Sequence, residues 1–458
     1  MTRGKWRTLP ADRPQMPFLK KLFWLYFILL IFEGALRKWI VPQYSAPLLV
    51  IRDPIGLLII FEAYRTDKWP EKWSVVTGVL AVGLIALCVI QVAVNDNPWA
   101  AAIYGLRSYL LPFPVAFVMG ENIDAEDLRQ FAKWSLLLML PETVLEVLQY
   151  LAPSDSFLNA GAYANAAQVM YESQHVRASG TFSFVVGPAS YGPMVAVFVL
   201  FGLVEEKFAE KWQVWAAAFA VILSMPVTGS REFVYKVVAV VACAVIAAAY
   251  GATEFVKSLR VVVPLACVFL LATLLPVFSQ STHSFDERFS EANQTEGGGS
   301  VGRAILQRTV IPIATRFQKT NFGKDPFGLG MGRGSAAVTK LLSGTPEFAA
   351  GEGEIDRALI ELGPFPGIAF TLFRFALALT ILVKAFSAAR AGEPLALLFA
   401  PLMISGVALG VLEQPTEQGF MVMAVAFSLA AMRRAVPRTV PGFSSGVRRQ
   451  VLRYSMRH

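Results

Sequence analysis

The run SVVTGVLAVGLIALCVIQVAVN, residues 74–95, holds no charged side chain. A bilayer core of roughly 30 Å is crossed by about 20 apolar residues in helical form, so this run predicts a membrane-spanning helix. Working outward from it, comparable runs predict spans at 20–36, 46–63, 100–120, 134–152, 184–204, 212–228, 232–250, 261–279, 357–384, 394–412 and 417–432. The composition agrees: 55% of the residues are hydrophobic and 16% charged, against about 25% charged in soluble domains. A soluble globule is excluded, and no stretch remains for a separate soluble domain. The expected architecture is an all-α, polytopic transmembrane helix bundle of about twelve spans.

The formal net charge of +8 raises nucleic acid as a partner, and its distribution answers the question. With the N-terminus inside, more than half of the 41 Lys and Arg fall on the inner side. They lie in the basic N-terminus 1–19, in the inner connections such as Arg65 to Lys72, and in a tail, 433–458, that carries seven arginines. Positive charge is retained on the untranslocated side, so both termini are expected in the cytoplasm. The basic tail then reads as an anchor beside anionic lipid headgroups, and nucleic acid is not required. The first apolar run ends in Glu33 and Arg37-Lys38 with no small-residue cleavage site, so it reads as a retained span. Cys88, Cys243 and Cys267 fall within apolar runs at a spacing that fits neither a metal site nor a disulfide framework.

Two outer loops break the pattern of short connections. One spans 152–183. The other, 280–356, lies between spans nine and ten and carries eight Lys and Arg. Long loops in compact proteins are usually functional. Within the second, VGRAILQRTVIPIATRFQKT alternates apolar and basic residues at helical spacing, as a helix lying on a membrane surface does. The run DPFGLGMGRGS that follows is glycine-rich and predicts a turn or backbone-lined loop. With no strand before it, it does not read as a dinucleotide fingerprint. The two halves of the chain show no repeat of the kind that marks transporters.

Ionisable residues inside apolar spans are expensive and by default mark function or a buried pair. Arg52-Asp53, Arg107, Glu33, Glu146, Gln149, Arg231, Glu413 and Glu417 all fall toward the outer ends of their spans, so the polar site is expected to open outward. Each has a plainer alternative. Arg52 and Asp53, next to Pro54, can pair locally at a kink, and Arg107 and Glu146 can pair across a helix interface. Arg231 can anchor beside headgroups, and Glu413 and Glu417 can be solvated turn residues. What those alternatives leave unexplained is the shared depth, together with an arginine-bearing loop on the same side. The planar guanidinium matches phosphate through paired hydrogen bonds, so this grouping points to a diphosphate carried on a lipid tail. No acidic pair is placed to hold a divalent metal, since Asp286 and Glu287 are adjacent and diverge. A metal-independent reaction with no cofactor is expected.

A resemblance is carried by short motifs in a fixed order. These are LRSYLLPFPVAF, RASGTFSFVVGPASYG, TGSRE, GRAILQRTVIPIA with DPFGLGMGRGS, and IELGPFPGIAF, between about Leu106 and Ala430. In them the chain resembles the bacterial O-antigen ligase and O-antigen polymerase superfamily, whose members transfer glycans from undecaprenyl diphosphate at the periplasmic face of the inner membrane. The resemblance implies an inverting glycosyltransferase whose donor diphosphate is held by Arg231 and Arg303, with Arg308 competing for the second role. Arg107, Arg52 and Arg177, on the same outer side, are further candidate substrate-binding residues. The ligases of that family place a histidine before the ELG motif. Here GEGEIDRALIELG puts Glu352 near that position and Glu354 two residues on, so these are the candidate catalytic bases, with His175 and His283 as lesser substitutes. The missing histidine leaves ligase and polymerase both open. The expected partners are the undecaprenyl-diphosphate-linked glycan, a glycan or lipid acceptor, membrane lipids and other polysaccharide-assembly proteins. A flippase for the same lipid-linked glycan, and a non-catalytic scaffold of an export system, are the rival readings.

Overall fold

A computed structural model describes residues 17–162, 176–205, 208–249, 326–335, 338 and 353–434. Among the described residues the chain is helical and contains no strand. The helices are α1 (Phe18–Ala35), α2 (Arg52–Arg65), α3 (Glu71–Val94), α4 (Trp99–Leu110), α5 (Pro112–Asn122), α6 (Ala125–Leu151), α7 (Val186–Val204), α8 (Lys211–Thr228), α9 (Arg231–Ala249), α10 (Glu354–Leu362), α11 (Pro364–Arg390) and α12 (Pro415–Arg434). They fall on ten of the twelve expected positions; 394–412 holds only shorter helices, and the run 261–279 lies outside the described residues, as do 301–320 and both basic tails. By length and composition, five stretches suffice to cross a membrane: Glu71–Val94, Trp99–Asn122, Val186–Val204, Arg231–Ala249 and Pro364–Arg390.

The departures from expectation have local causes. The run expected at 46–63 divides into Ser45–Leu48 and α2. The one at 100–120 divides at Leu111, immediately before Pro112, whose ring supplies no N–H. α6 begins nine residues before 134 because Asp124 and Asp127 form a reciprocal cap, with Asp127 N donating to Asp124 Oδ1 at 2.9 Å and Asp124 N to Asp127 Oδ2 at 3.0 Å. Helix α10 is separated from α11 at Gly363. The run 394–412 divides into Leu395–Leu398, Ala400–Ile404 and a π-helical turn, Ser405–Leu409.

Helix α12 lies centrally, packed chiefly on α5 and also against α1, α6, α7 and α11. Its Phe427 meets Phe131, Phe198 and Phe399 at ring separations of 5.5–5.7 Å, and Trp24 stacks on Phe131 at 4.1 Å. This aromatic core fills the bundle's middle. Most of the described buried ionisable groups cluster away from it, where α1, α6 and α8 end and α2, α9, α10 and α12 begin; Glu62 and Asp127 lie at the opposite end.

Candidate functional site

The site begins with three side chains on one face of α6, since positions 142, 146 and 149 recur at helical spacing. Gln149 Oε1 accepts from Ser179 N and Gly180 N at 3.0 and 2.8 Å, and Glu142 accepts from Thr181 N at 2.9 Å. Lys38 donates to Ser179 Oγ at 2.9 Å and Gly180 O at 2.7 Å, and Arg37 to Ser183 Oγ at 2.9 Å. The segment RASGTFS is thus held from α6 and from the end of α1. Arg177, at its start, reaches the carbonyls of Thr228 and Gly229 at 3.4 Å. Those belong to the TGSR turn, where Gly229 takes φ 56° in the left-handed region and Ser230 Oγ accepts from Phe233 N. Half-buried Arg231 opens α9 there, so Arg177 and Arg231, far apart in sequence, come to one place.

A second cluster joins α1, α2 and α4. Glu33 lies 3.3 Å from both Arg37 and Arg52, and Arg52 also donates to Pro415 O at the start of α12. Asp53 lies 3.0 Å from Arg107. Arg52 and Asp53 therefore do not pair locally, and Arg107 does not pair with Glu146, which instead accepts from Ser224 Oγ. Consecutive residues at a helix start diverge by about 100°, which sends Arg52 and Asp53 to different partners. The Arg107 guanidinium also stacks 4.2 Å over the Tyr104 ring, yet its Nε, Nη1 and Nη2 make no aligned hydrogen bond.

The third cluster surrounds the glycine loop. Gly328, Gly330 and Gly332 adopt φ of 74°, 116° and 82°, so the described part of the run, PFGLGMGRGS, turns as expected. Gly332 packs on the backbone of Gly105 and Ala101 so closely that a Cβ on either glycine would collide. Glu361 of the ELG motif anchors the loop: its carboxylate accepts from Gly332 N at 3.0 Å, Gly334 N at 2.8 Å and Tyr109 Oη at 2.9 Å. Gln91, a polar residue in the opening run, donates to Phe327 O and Glu361 O and accepts from Met331 N at 2.6–2.8 Å.

Glu354, expected as a candidate base in the loop 280–356, is neither loop-borne nor solvated. It is the first residue of α10, and its side chain has no exposed surface. Arg357 donates to both its oxygens at 3.0–3.1 Å, Arg374 Nη1 lies 3.2 Å away, and Leu412 N points at it from 3.3 Å. Arg374 also donates to Val407 O and Gly410 O, tying the π-helical turn to α11. Glu413 is not a solvated turn residue either. Its side chain is 13% exposed, and its Oε2 lies 3.6 Å from Arg357 Nη1. Burial pushes its carboxyl above the usual carboxylate range, against the pull of Arg357.

Arg52, Arg107, Arg177, Arg231 and Glu354 thus belong to adjoining clusters at one end of the bundle. Arg303, Arg308, Glu352, His175 and His283 lie outside the described residues, as do Cys267 and Asp286-Glu287. Sequence reasoning missed Arg374, Glu361 and Gln91, although each is a polar group within or beside an apolar run, the signal that singled out Arg107. Comparison with protein-family models, with curated proteins and with solved structures returns no match to the chain.

Proposed function

We propose that this chain is a multi-pass protein of the bacterial inner membrane, with about twelve spans and both termini in the cytoplasm. Its activity is glycosyl transfer, as a polymerase or ligase, from a polyprenyl-diphosphate-linked oligosaccharide to an acceptor hydroxyl at the periplasmic face. The observation that carries the reading is the gathering of guanidinium groups at one end of the bundle, where RASG, TGSR, the glycine loop and ELG meet. Arg107 supports it most directly: it faces Asp53 at 3.0 Å, and its N–H groups without aligned acceptors are matched by the oxygens of a glycan substrate.

The chemistry follows from those groups. As the bond between the anomeric carbon and the phosphate oxygen breaks, charge grows on the diphosphate, and fixed guanidinium donors stabilise it without reorganising. Arg231 and Arg303 take that role, with Arg177 holding the TGSR turn in position. No metal is required, and attack opposite the leaving group inverts the anomeric centre. The flippase reading asks for a polar route from one side to the other, which the aromatic packing around Phe427 opposes.

The test is single-turnover transfer by purified protein in lipid nanodiscs, with polyprenyl-diphosphate-linked oligosaccharide as donor. Arg231→Ala and Arg303→Ala should each slow release of polyprenyl diphosphate by about 100- to 1,000-fold at normal insertion levels. Arg231→Lys should remain poorly active, because an ammonium cannot copy the paired geometry. Near-normal product from Arg231→Ala would remove it from the diphosphate site, and donor translocation without transfer would favour the flippase.

A further inference from the structure

Three carboxylates meet beside the glycine loop, and their surroundings divide them. Glu361 is saturated by Tyr109, Gly332 and Gly334. Glu354 is clamped between Arg357 and Arg374 and faces Leu412 N. A carboxylate whose oxygens are committed to such partners has no lone pair left for a substrate hydroxyl. Glu413 differs. It stands on the turn before α12, is 13% exposed, and its closest cation, Arg357 Nη1, lies at 3.6 Å, beyond a direct hydrogen bond.

Its neighbours are equally particular. From the glycine loop, the Ser335 hydroxyl lies within hydrogen-bonding range. From α4, Tyr104 couples electrostatically to both Glu413 and Arg107, with Arg107 stacked on its ring. Arg107 is 12% exposed and has no aligned acceptor on Nε, Nη1 or Nη2. From α10, Arg357 attracts the Glu413 charge while Glu354 and Glu361 repel it. A carboxylate with spare lone pairs and a guanidinium with spare donors therefore flank one tyrosine at the rim of the cluster. A sugar hydroxyl satisfies both, donating to the carboxylate while its neighbouring oxygens accept from the guanidinium.

We propose that Glu413 is the proton acceptor of the transfer reaction, and that Tyr104 and Arg107 bind the acceptor sugar beside it. This assignment rests on the transferase reading above and takes the base role from Glu352 and Glu354. The Glu413 carboxylate removes the proton of the acceptor hydroxyl as that oxygen bonds to the anomeric carbon. The bond from the same carbon to the phosphate oxygen breaks, and its electron pair leaves with the polyprenyl diphosphate. Glu413 then passes the proton to water and returns to the carboxylate.

The experiment is single-turnover transfer by the full chain in nanodiscs across pH, with donor binding measured separately. The wild-type rate should rise with pH through a pKa above the ordinary carboxylate value, because burial raises that of Glu413 and only the ionised form accepts a proton. Glu413→Gln should lower the rate by about 100- to 10,000-fold and abolish that rise while donor binding persists. Glu413→Asp should keep the rise at a reduced rate, and it decides the matter should the amide variant fail to insert. Wild-type rate and pH profile in both variants would overturn the assignment of Glu413 alone, as would a larger loss in Glu352→Gln than in Glu413→Gln. A wild-type protein that binds donor but never releases polyprenyl diphosphate would overturn the transferase reading and this base with it.

Discussion

Replacing Glu361 with glutamine isolates the anchor of the glycine loop. Three donors converge on its two oxygens: Tyr109 Oη and Gly332 N on Oε2, and Gly334 N on Oε1. An amide has one oxygen. Placed at the Oε2 position it retains Tyr109 and Gly332, and its NH2 faces the Gly334 N–H, donor against donor. Turned over, it retains Gly334 and orphans the other two. In the better orientation one buried donor is left unsatisfied, about 1–3 kcal/mol, and the surviving bonds lose the charged acceptor that strengthened them. A loss of about 2 kcal/mol from the loop's closed state raises its open population roughly 30-fold. Amide hydrogen exchange at residues 328–334 reads that population directly, and α12 serves as the internal control, since its core makes no contact with the carboxylate. Exchange within about threefold of wild type across the loop would refute the argument that the carboxylate holds it.

Two further outcomes are expected. Glu354→Gln should lower the Tm clearly, because Arg357 and Arg374 would lose their shared buried counter-charge, a change of about 3–5 kcal/mol; an unchanged Tm with lost transfer would instead restore Glu354 as a base. Cysteines placed at Ser290 and Ser343 should react with an impermeant reagent from outside the cell, as the charge asymmetry requires, and labelling only from the cytoplasm would overturn the topology.

The helices were legible because each is written as a long apolar run, and a run of that length leaves few alternatives. Their breaks were partly legible: Pro112 and Gly363-Pro364 are ordinary stop signals, whereas the π-helical turn Ser405–Leu409 depends on Arg374 reaching its carbonyls from another helix. The charged end of the bundle was legible as a set of costly residues, but not as a set of pairs. Arg52 stands beside Asp53 in sequence and pairs with Glu33, while Asp53 pairs with Arg107. Which carboxylate meets which guanidinium is decided by helix rotation and approach, and a run of hydrophobic residues fixes neither. The same gap hid Glu354: a glutamate after a glycine looks solvated until two arginines from α10 and α11 are seen to close on it.

The pairing pattern also bears on which reading the bundle favours. At the opposite helix ends the described ion pairs lie near the termini, with Lys20 against Asp124 and Asp127, and Lys72 against Glu121. They tie helix ends together at partly exposed positions, where such pairs contribute little stability. At the other end the pairs are buried, shared among several helices, and interrupted where Arg107 lacks aligned acceptors and Glu413 lacks a close donor cation. Between the two ends stand Phe131, Phe198, Phe399 and Phe427, with Met421 to Ala426 of α12 buried beside them. A carrier alternates access to its site from both sides, which places polar groups near the midplane. Here Arg107 and Glu413 sit together on one side of the aromatic core, the arrangement suited to a reaction whose donor and acceptor approach from the same face.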